Sequence, residues 1–145
     1  MDVRLRDIVV AGPVLDRLFS GQPRAKEAFQ FALVSRKLTV ITAEYNTARG
    51  EALKRHATRD ETKPDSYHFF EEQVFEEQAK GKARVIDIAA LDAYTNEHSE
   101  LLDTEVGIDF SVTIAQIDKA KIEPPMTPNE LAMLWWLIEE FRTEE

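Results

Sequence analysis

Three histidines, no cysteine and five dispersed glycines set narrow limits on the chemistry that this 145-residue chain can host. His68 precedes Glu72 by four residues, a spacing that puts both side chains on one helical face, and Glu76 follows a turn later. Such a group is a candidate ligand set for a divalent cation. His-x-x-x-Glu recurs readily by chance, however, and the remaining ligands of a structural or catalytic zinc site are missing, so neither metal nor cofactor is expected. Glu71, Glu72, Glu76 and Glu77 read as a solvated acidic helix face. Paired carboxylates doing acid–base work need environments that separate their pKa values, and nothing in this run signals burial. His98, within Asn96-Glu97-His98-Ser99-Glu100, reads as a helix-packing histidine, and His56 as an exposed one. The glycines at 12, 21, 50, 81 and 107 never cluster into a phosphate loop, and Gly-x-Ser-x-Gly does not occur. No catalytic residue is expected, and the chain is not expected to be an enzyme.

Contact with a partner is better represented. Arg49, Lys54, Arg55 and Arg59 form a basic stretch toward the end of a long helical segment. It reads either as cations complementing a helix C-terminus or as a docking point for an acidic protein surface or a nucleic-acid backbone. Trp136 follows Trp135 and so points about 100° away on a helix. With Trp135 in the core, Trp136 and Met133 are expected to form an exposed or partner-covered apolar patch; the alternative is that the first helix or residues 66–80 cover them. The candidate partner-binding residues are therefore Arg49, Lys54, Arg55, Arg59, Glu71, Glu72, Glu76, Glu77, Met133 and Trp136.

The elements that would position these residues follow from periodicity. Phe31, Val34, Leu38, Ile41, Tyr45, Ala48 and Ala52 are spaced 3-4-3-4-3-4, the seam of a helix packed lengthwise on another. This predicts a long helix from about Pro23 to Ala57. Ile88, Leu91, Tyr94 or Thr95, His98, and Leu101 or Leu102 repeat at helical spacing, so residues 88–103 are expected to return antiparallel along it. Tyr67, Phe70 and Val74 suggest a helix between Asp65 and Lys82, with a β-hairpin as the alternative and Arg84-Val85-Ile86 as a short strand. Val3, Leu5 and Ile8-Val9-Val10 read as a strand before Pro13; the competing reading is a helix from Asp7, kinked at Pro13. Val106, Ile108, Phe110, Val112 and Ile114 alternate with small or polar residues, which predicts a half-buried strand beside the N-terminal one. Thr127-Pro128-Asn129-Glu130 supplies an N-cap, an N1 proline and a capping-box glutamate for a helix over 128–142 that buries Leu131, Leu134, Trp135, Ile138 and Phe141.

The fold class expected is α+β, with one domain spanning 1–145: a helical hairpin arm over about 23–103, a small antiparallel sheet from about 3–10 and 104–117, and a C-terminal helix over about 128–142. Charge divides along the chain. Residues 22–59 carry eight bases against three acids, a surplus of +5, whereas residues 60–145 carry twenty-one acids against seven bases, or −14. The sequence pI of about 4.9 argues against general nucleic-acid binding. No apolar run approaches the roughly 18 residues of a bilayer span, and the N-terminus has no signal-peptide pattern. Host cytoplasm or a particle assembled there is the expected location, with no membrane association. A 3-4 seam can be closed within the chain or between copies, so a homo-oligomer stays open.

The run Val3-Arg4-Leu5-Arg6-Asp7-Ile8, followed by Ser35-Arg36-Lys37-Leu38, Glu44 and Ala48-Arg49 in the long helix, resembles small proteins of unknown function in tailed-bacteriophage genomes. Those also have a shorter helix leading into a Glu-Leu-Leu-Asp-type segment, then a strand and a C-terminal helix after a proline-bearing turn. The counterparts are Glu100-Leu101-Leu102-Asp103, Glu105 to Phe110, and Thr127-Pro128-Asn129-Glu130-Leu131. Gly12-Pro13 and the segment from Phe69 to Gln78 depart from the pattern. The resemblance brings no catalytic residues. It implies a phage protein acting through protein–protein contacts, most simply a virion or assembly component that binds a phage structural protein. The alternative is a soluble inhibitor of a host factor, a defence nuclease or the transcription machinery, that uses the acidic surface.

Overall fold

The structure is a computed structural model and describes residues 1–59, 67–74 and 82–142. In chain order the elements are β1 (Asp2–Arg4), α1 (Leu5–Val10), α2 (Gly12–Phe19), α3 (Ala25–His56), β2 (Thr58–Arg59), β3 (Tyr67–His68), β4 (Phe70–Val74), β5 (Lys82–Ile86), α4 (Ile88–Leu102), β6 (Glu105–Gly107), α5 (Ile114–Lys119) and α6 (Pro128–Met133), with a 3-10 turn at Glu139–Phe141. The fold is α+β, as the sequence implies. The chain divides into two compact units, one of residues 1–43 with 103–145, the other of residues 44–102. The arm expected over 23–103 is thus shared: α3 gives its first half to one unit and its second half to the other.

In the first unit, β1 pairs antiparallel with β6, Val3 opposite Val106. The ladder is shorter than the alternation suggested. Only Asp2–Arg4 of the expected strand 3–10 is extended, and Leu5–Val10 is helical. Leu5, Ile8, Ala11, Val14 and Leu18 are buried while Val9 and Val10 are exposed, a spacing of three to four that a strand cannot satisfy. The segment is helical, as in the competing reading, but α1 starts at Leu5 instead of after Asp7. In place of a kink a separate α2 begins at Gly12, with Pro13 in its first turn, where its missing N–H costs nothing. Residues 108–113 do alternate in burial, but beyond Ile108, whose N–H donates to the Met1 carbonyl at 2.7 Å, they pair with no strand among the described residues. Val112 makes a single parallel bridge to Ile138, donating its N–H to the Leu137 carbonyl at 2.9 Å and accepting from Glu139 N–H at 2.9 Å. Residues 114–117, expected in the sheet, belong to α5, whose start carries a capping box: Thr113 with Gln116.

That bridge also corrects the C-terminal helix. α6 stops at Met133, and residues 134–137 turn so that Ile138 lies extended against Val112. Pairing those backbone groups compensates for the lost helical bonds. It also brings Trp136, Leu137 and Ile138 inward together, which a helix with a single buried stripe does not do for three successive residues. Arg142 fixes the turn from outside, donating from Nε to the Trp136 carbonyl at 2.9 Å and from Nη2 to the Phe110 carbonyl.

The core of this unit gathers Val3, Ile8, Leu18, Phe31, Val34, Leu38, Ile108, Val112, Leu134 and Trp136. Phe19 meets Phe31 edge-on at 6.1 Å between ring centres. The first three seam residues of α3 therefore pack into this core, not against residues 88–103. At the start of α6, Arg17 Nη1 donates to Glu130 Oε1 and Oε2 at 2.7 and 2.8 Å. The Thr127 backbone N–H, donating at 3.1 Å, holds the Glu130 carboxyl below its ordinary value, and Arg17 adds to this. A folded-state pKa below the unfolded one stabilises the fold above the ordinary value of 4.5 and loses that contribution as pH falls through the lowered one. The urea midpoint should accordingly fall on acidification below 4.5 more steeply in the wild type than in Glu130→Gln, and two parallel profiles would remove the assignment.

In the second unit β2 pairs antiparallel with β3, and β4 with β5, with Phe70 opposite Ile86 and Val74 opposite Lys82. The helix expected between Asp65 and Lys82 is thus replaced by the hairpin alternative. Tyr67, Phe70 and Val74 suit strands as aromatic and β-branched residues. Asp87 ends the hairpin and caps α4, its Oδ1 accepting from Ala90 N–H at 3.1 Å. α4 returns along α3 in antiparallel order, Tyr94 beside Arg49 and His98 beside Tyr45. None of its residues is fully buried, so the two helices meet mainly through side-chain ends.

Candidate functional site

The basic stretch is largely engaged within its own unit. Arg49 Nε donates to the Tyr94 hydroxyl at 3.2 Å, Lys54 lies 3.8 Å from Glu51, and Arg55 pairs with Glu97. His56 Nε2 meets the other Glu97 oxygen at 2.5 Å, so His56 is half-buried and partnered rather than exposed. The backbone of Arg59 lies in β2, opposite Tyr67. Last-turn cations also complement the α3 dipole, so the structure favours internal neutralisation over a free docking point.

Beside these pairs, the Tyr45 hydroxyl lies 2.7 Å from His98 Nε2, and the His98 ring stacks on Tyr94 at 5.6 Å. Burial pushes the Tyr45 hydroxyl upward in pKa, partly opposed by Arg49. His98 thus has the helix-packing role read for it. The cluster places two tyrosines, two histidines and an arginine together, and each is committed to a neighbour.

Glu71 and Glu72 lie in β4, opposite Val85 and Arg84. The one-face geometry expected for His68 and Glu72 on a helix is not formed, because His68 belongs to β3 and Glu72 to β4. Glu76 and Glu77 lie outside the described residues. Among the described residues no three histidine, aspartate or glutamate side chains gather closely enough to hold a metal ion. No described helix is long and apolar enough to cross a membrane.

The tryptophans are the reverse of the expectation. Trp136 is 0% exposed and Trp135 37%, because the chain leaves the helix after Met133. Met133 is half-buried against the core. An exposed Trp136–Met133 patch does not exist.

Two features of the first unit were not anticipated. One is a cleft of about 330 Å³ lined by Arg24, Glu27, Lys119 and Lys121. Glu27, 8% exposed, sits in the first turn of α3 with Lys119 at 3.8 Å, which reads as a carboxylate serving the helix start. The other is the outer face of α3. Phe29, Leu33 and Val40 are 65%, 44% and 58% exposed, on the side of the helix opposite the buried Phe31, Val34 and Leu38. At about 100° per residue, positions 29, 33, 36, 40 and 43 fall in one stripe. Its members are Phe29, Leu33, Arg36, Val40 and Ala43, spaced 4-3-4-3, the heptad rhythm of a helix seam. The same spacing rule that found Phe31 to Ala52 would have found it. Arg36 makes no hydrogen bond or ion pair among the described residues, while Lys37 pairs with Asp109 at 3.2 Å and lies over the Phe110 ring. Comparison with protein-family models, with curated proteins and with solved structures finds no match to the chain.

Proposed function

We propose that this chain is a non-enzymatic bacteriophage protein that works by protein–protein contact, as a component of the virion or of its assembly. The observation that carries the contact role is the uncovered stripe of Phe29, Leu33 and Val40. Single exposed apolar residues are ordinary on a protein surface, but three aligned at seam spacing on one rigid helix mark an interaction face. The phage assignment draws on the order of motifs from Val3-Arg4-Leu5-Arg6 to Thr127-Pro128-Asn129-Glu130.

Mass spectrometry of particles purified from infected cells should detect the chain in fixed ratio to a head or tail protein, or in assembly intermediates. A chain abundant in infected lysate but absent from both would overturn the particle role. Recovery on one host protein instead, lost when Glu71, Glu72, Glu76 and Glu77 are reversed to lysine, would favour the host-directed inhibitor.

A further inference from the structure

The outer stripe of α3 has a chemistry that selects its occupant. From Ala28 to Ala43 the helix carries no acidic residue, and its two bases are Arg36 and Lys37. In a chain of net charge −9 this is a locally basic and apolar face. Arg36 is not on its rim. It occupies a seam position, with Leu33 and Val40 one step away on either side.

A helix laid on this stripe would therefore cover the Arg36 guanidinium along with Phe29, Leu33 and Val40. Covering an unpaired charge is strongly unfavourable, so the occupant must bring a carboxylate to that position. Single polar residues at seam positions are a known means by which coiled coils fix partner and register. A second copy of this chain does not meet the requirement. In-register parallel pairing would oppose Arg36 to Arg36, and the stripe from Phe29 to Ala43 offers no acid of its own in either direction.

We infer that the α3 stripe docks an amphipathic helix of another protein that carries apolar residues at heptad spacing and a glutamate or aspartate opposite Arg36. The inference rests on the protein-contact reading above and names the partner's chemistry. The stripe spans fourteen residue steps, about 21 Å or four helical turns, enough for three or four apolar anchors. The partner's acid forms a desolvated ion pair with Arg36, and a flanking acid near the Phe29 end meets Lys26.

The test uses the full-length chain and three labelled designed peptides of about three heptads, each with leucine on its seam and alike except at one central position, which is Glu, Lys or Leu. Fluorescence anisotropy should give at least about tenfold tighter binding for the Glu peptide than for the Lys peptide. Arg36→Glu should invert that order, and Phe29→Glu with Leu33→Glu should remove binding of all three. All of these residues are exposed, so circular dichroism should report an unchanged fold. Glu and Lys peptides within about threefold of each other would overturn the inference while leaving a contact face in place. Failure of all three peptides would also overturn it, and the particle experiment would then judge the broader reading separately. A dimer in sedimentation that Leu33→Glu disperses would overturn it in favour of a second copy.

Discussion

Trp136→Ala is expected to lower the unfolding free energy by about 3–5 kcal/mol, against less than about 1 kcal/mol for Trp135→Ala. Trp136 is 0% exposed and lies in one cluster with Leu18, Leu134, Leu137 and Ile138, so truncation leaves a large cavity among residues that are themselves fully covered. Such a loss is a substantial part of the 5–15 kcal/mol typical of a domain. The indole Nε1 is buried without a hydrogen-bond partner among the described residues. Trp136→Phe removes that unpaired N–H along with part of the ring, so its loss should be smaller than that of the alanine variant. Urea unfolding followed by circular dichroism separates the three variants. A Trp136→Ala loss below about 1 kcal/mol would contradict the burial and return this side chain to the surface role that the helical reading of 128–142 implies.

That reversal shows where local pattern stops deciding structure. The capping signal at Thr127-Pro128-Asn129-Glu130 was legible, and both halves of the box form as read. A capping box fixes a helix's start and not its length. What ends α6 is Val112, more than twenty residues earlier in the chain, whose backbone pairs with 137–139. The same non-local term explains Ile8-Val9-Val10. Their β-branching suggested a strand, but burial of Leu5, Ile8 and Ala11 on one side sets a helical period. The antiparallel return of α4 along α3 was legible because Tyr45 and His98 keep the 3-4 rhythm of their helices. The pairing of Arg55 and His56 with Glu97 was not, since a charge run does not announce which acids fold back onto it.

The outer face of α3 was lost for a different reason. A helix is ordinarily assigned one apolar stripe, and Phe31-Val34-Leu38-Ile41 supplied it. Phe29, Leu33 and Val40 carry an equally regular spacing two residues out of phase with that stripe, and only burial distinguishes the two. α3 in the first unit is therefore apolar on opposite sides, and the fold covers one of them. Which side it covers depends on how α3 is seated at its start.

That seating is tested by Gly21→Ala, which is expected to destabilise the protein by about 1–3 kcal/mol, whereas Gly50→Ala should stabilise it by about 0.5–1 kcal/mol. Gly21 lies between α2 and α3. A Cβ there would stand 2.2 Å from the Ala120 carbonyl oxygen, 3.1 Å from its carbon and 3.2 Å from Ile122 Cγ1. The obstacle is backbone and cannot rotate aside. Ala120 and Ile122 are themselves buried on either side of Lys121, whose φ of 51° puts the intervening residue in the left-handed region. Relief therefore requires the α2–α3 junction and the segment after α5 to part, loosening the nearby Phe19–Phe31 contact that turns the inner stripe toward the core. Gly50 meets nothing within 4 Å and sits inside α3, so alanine there gains helix propensity without a clash. Urea midpoints of the two variants should move in opposite directions. Equal midpoints for Gly21→Ala and wild type would mean that the junction opens freely, and that the choice of covered face is made by the Phe31, Val34 and Leu38 contacts without it.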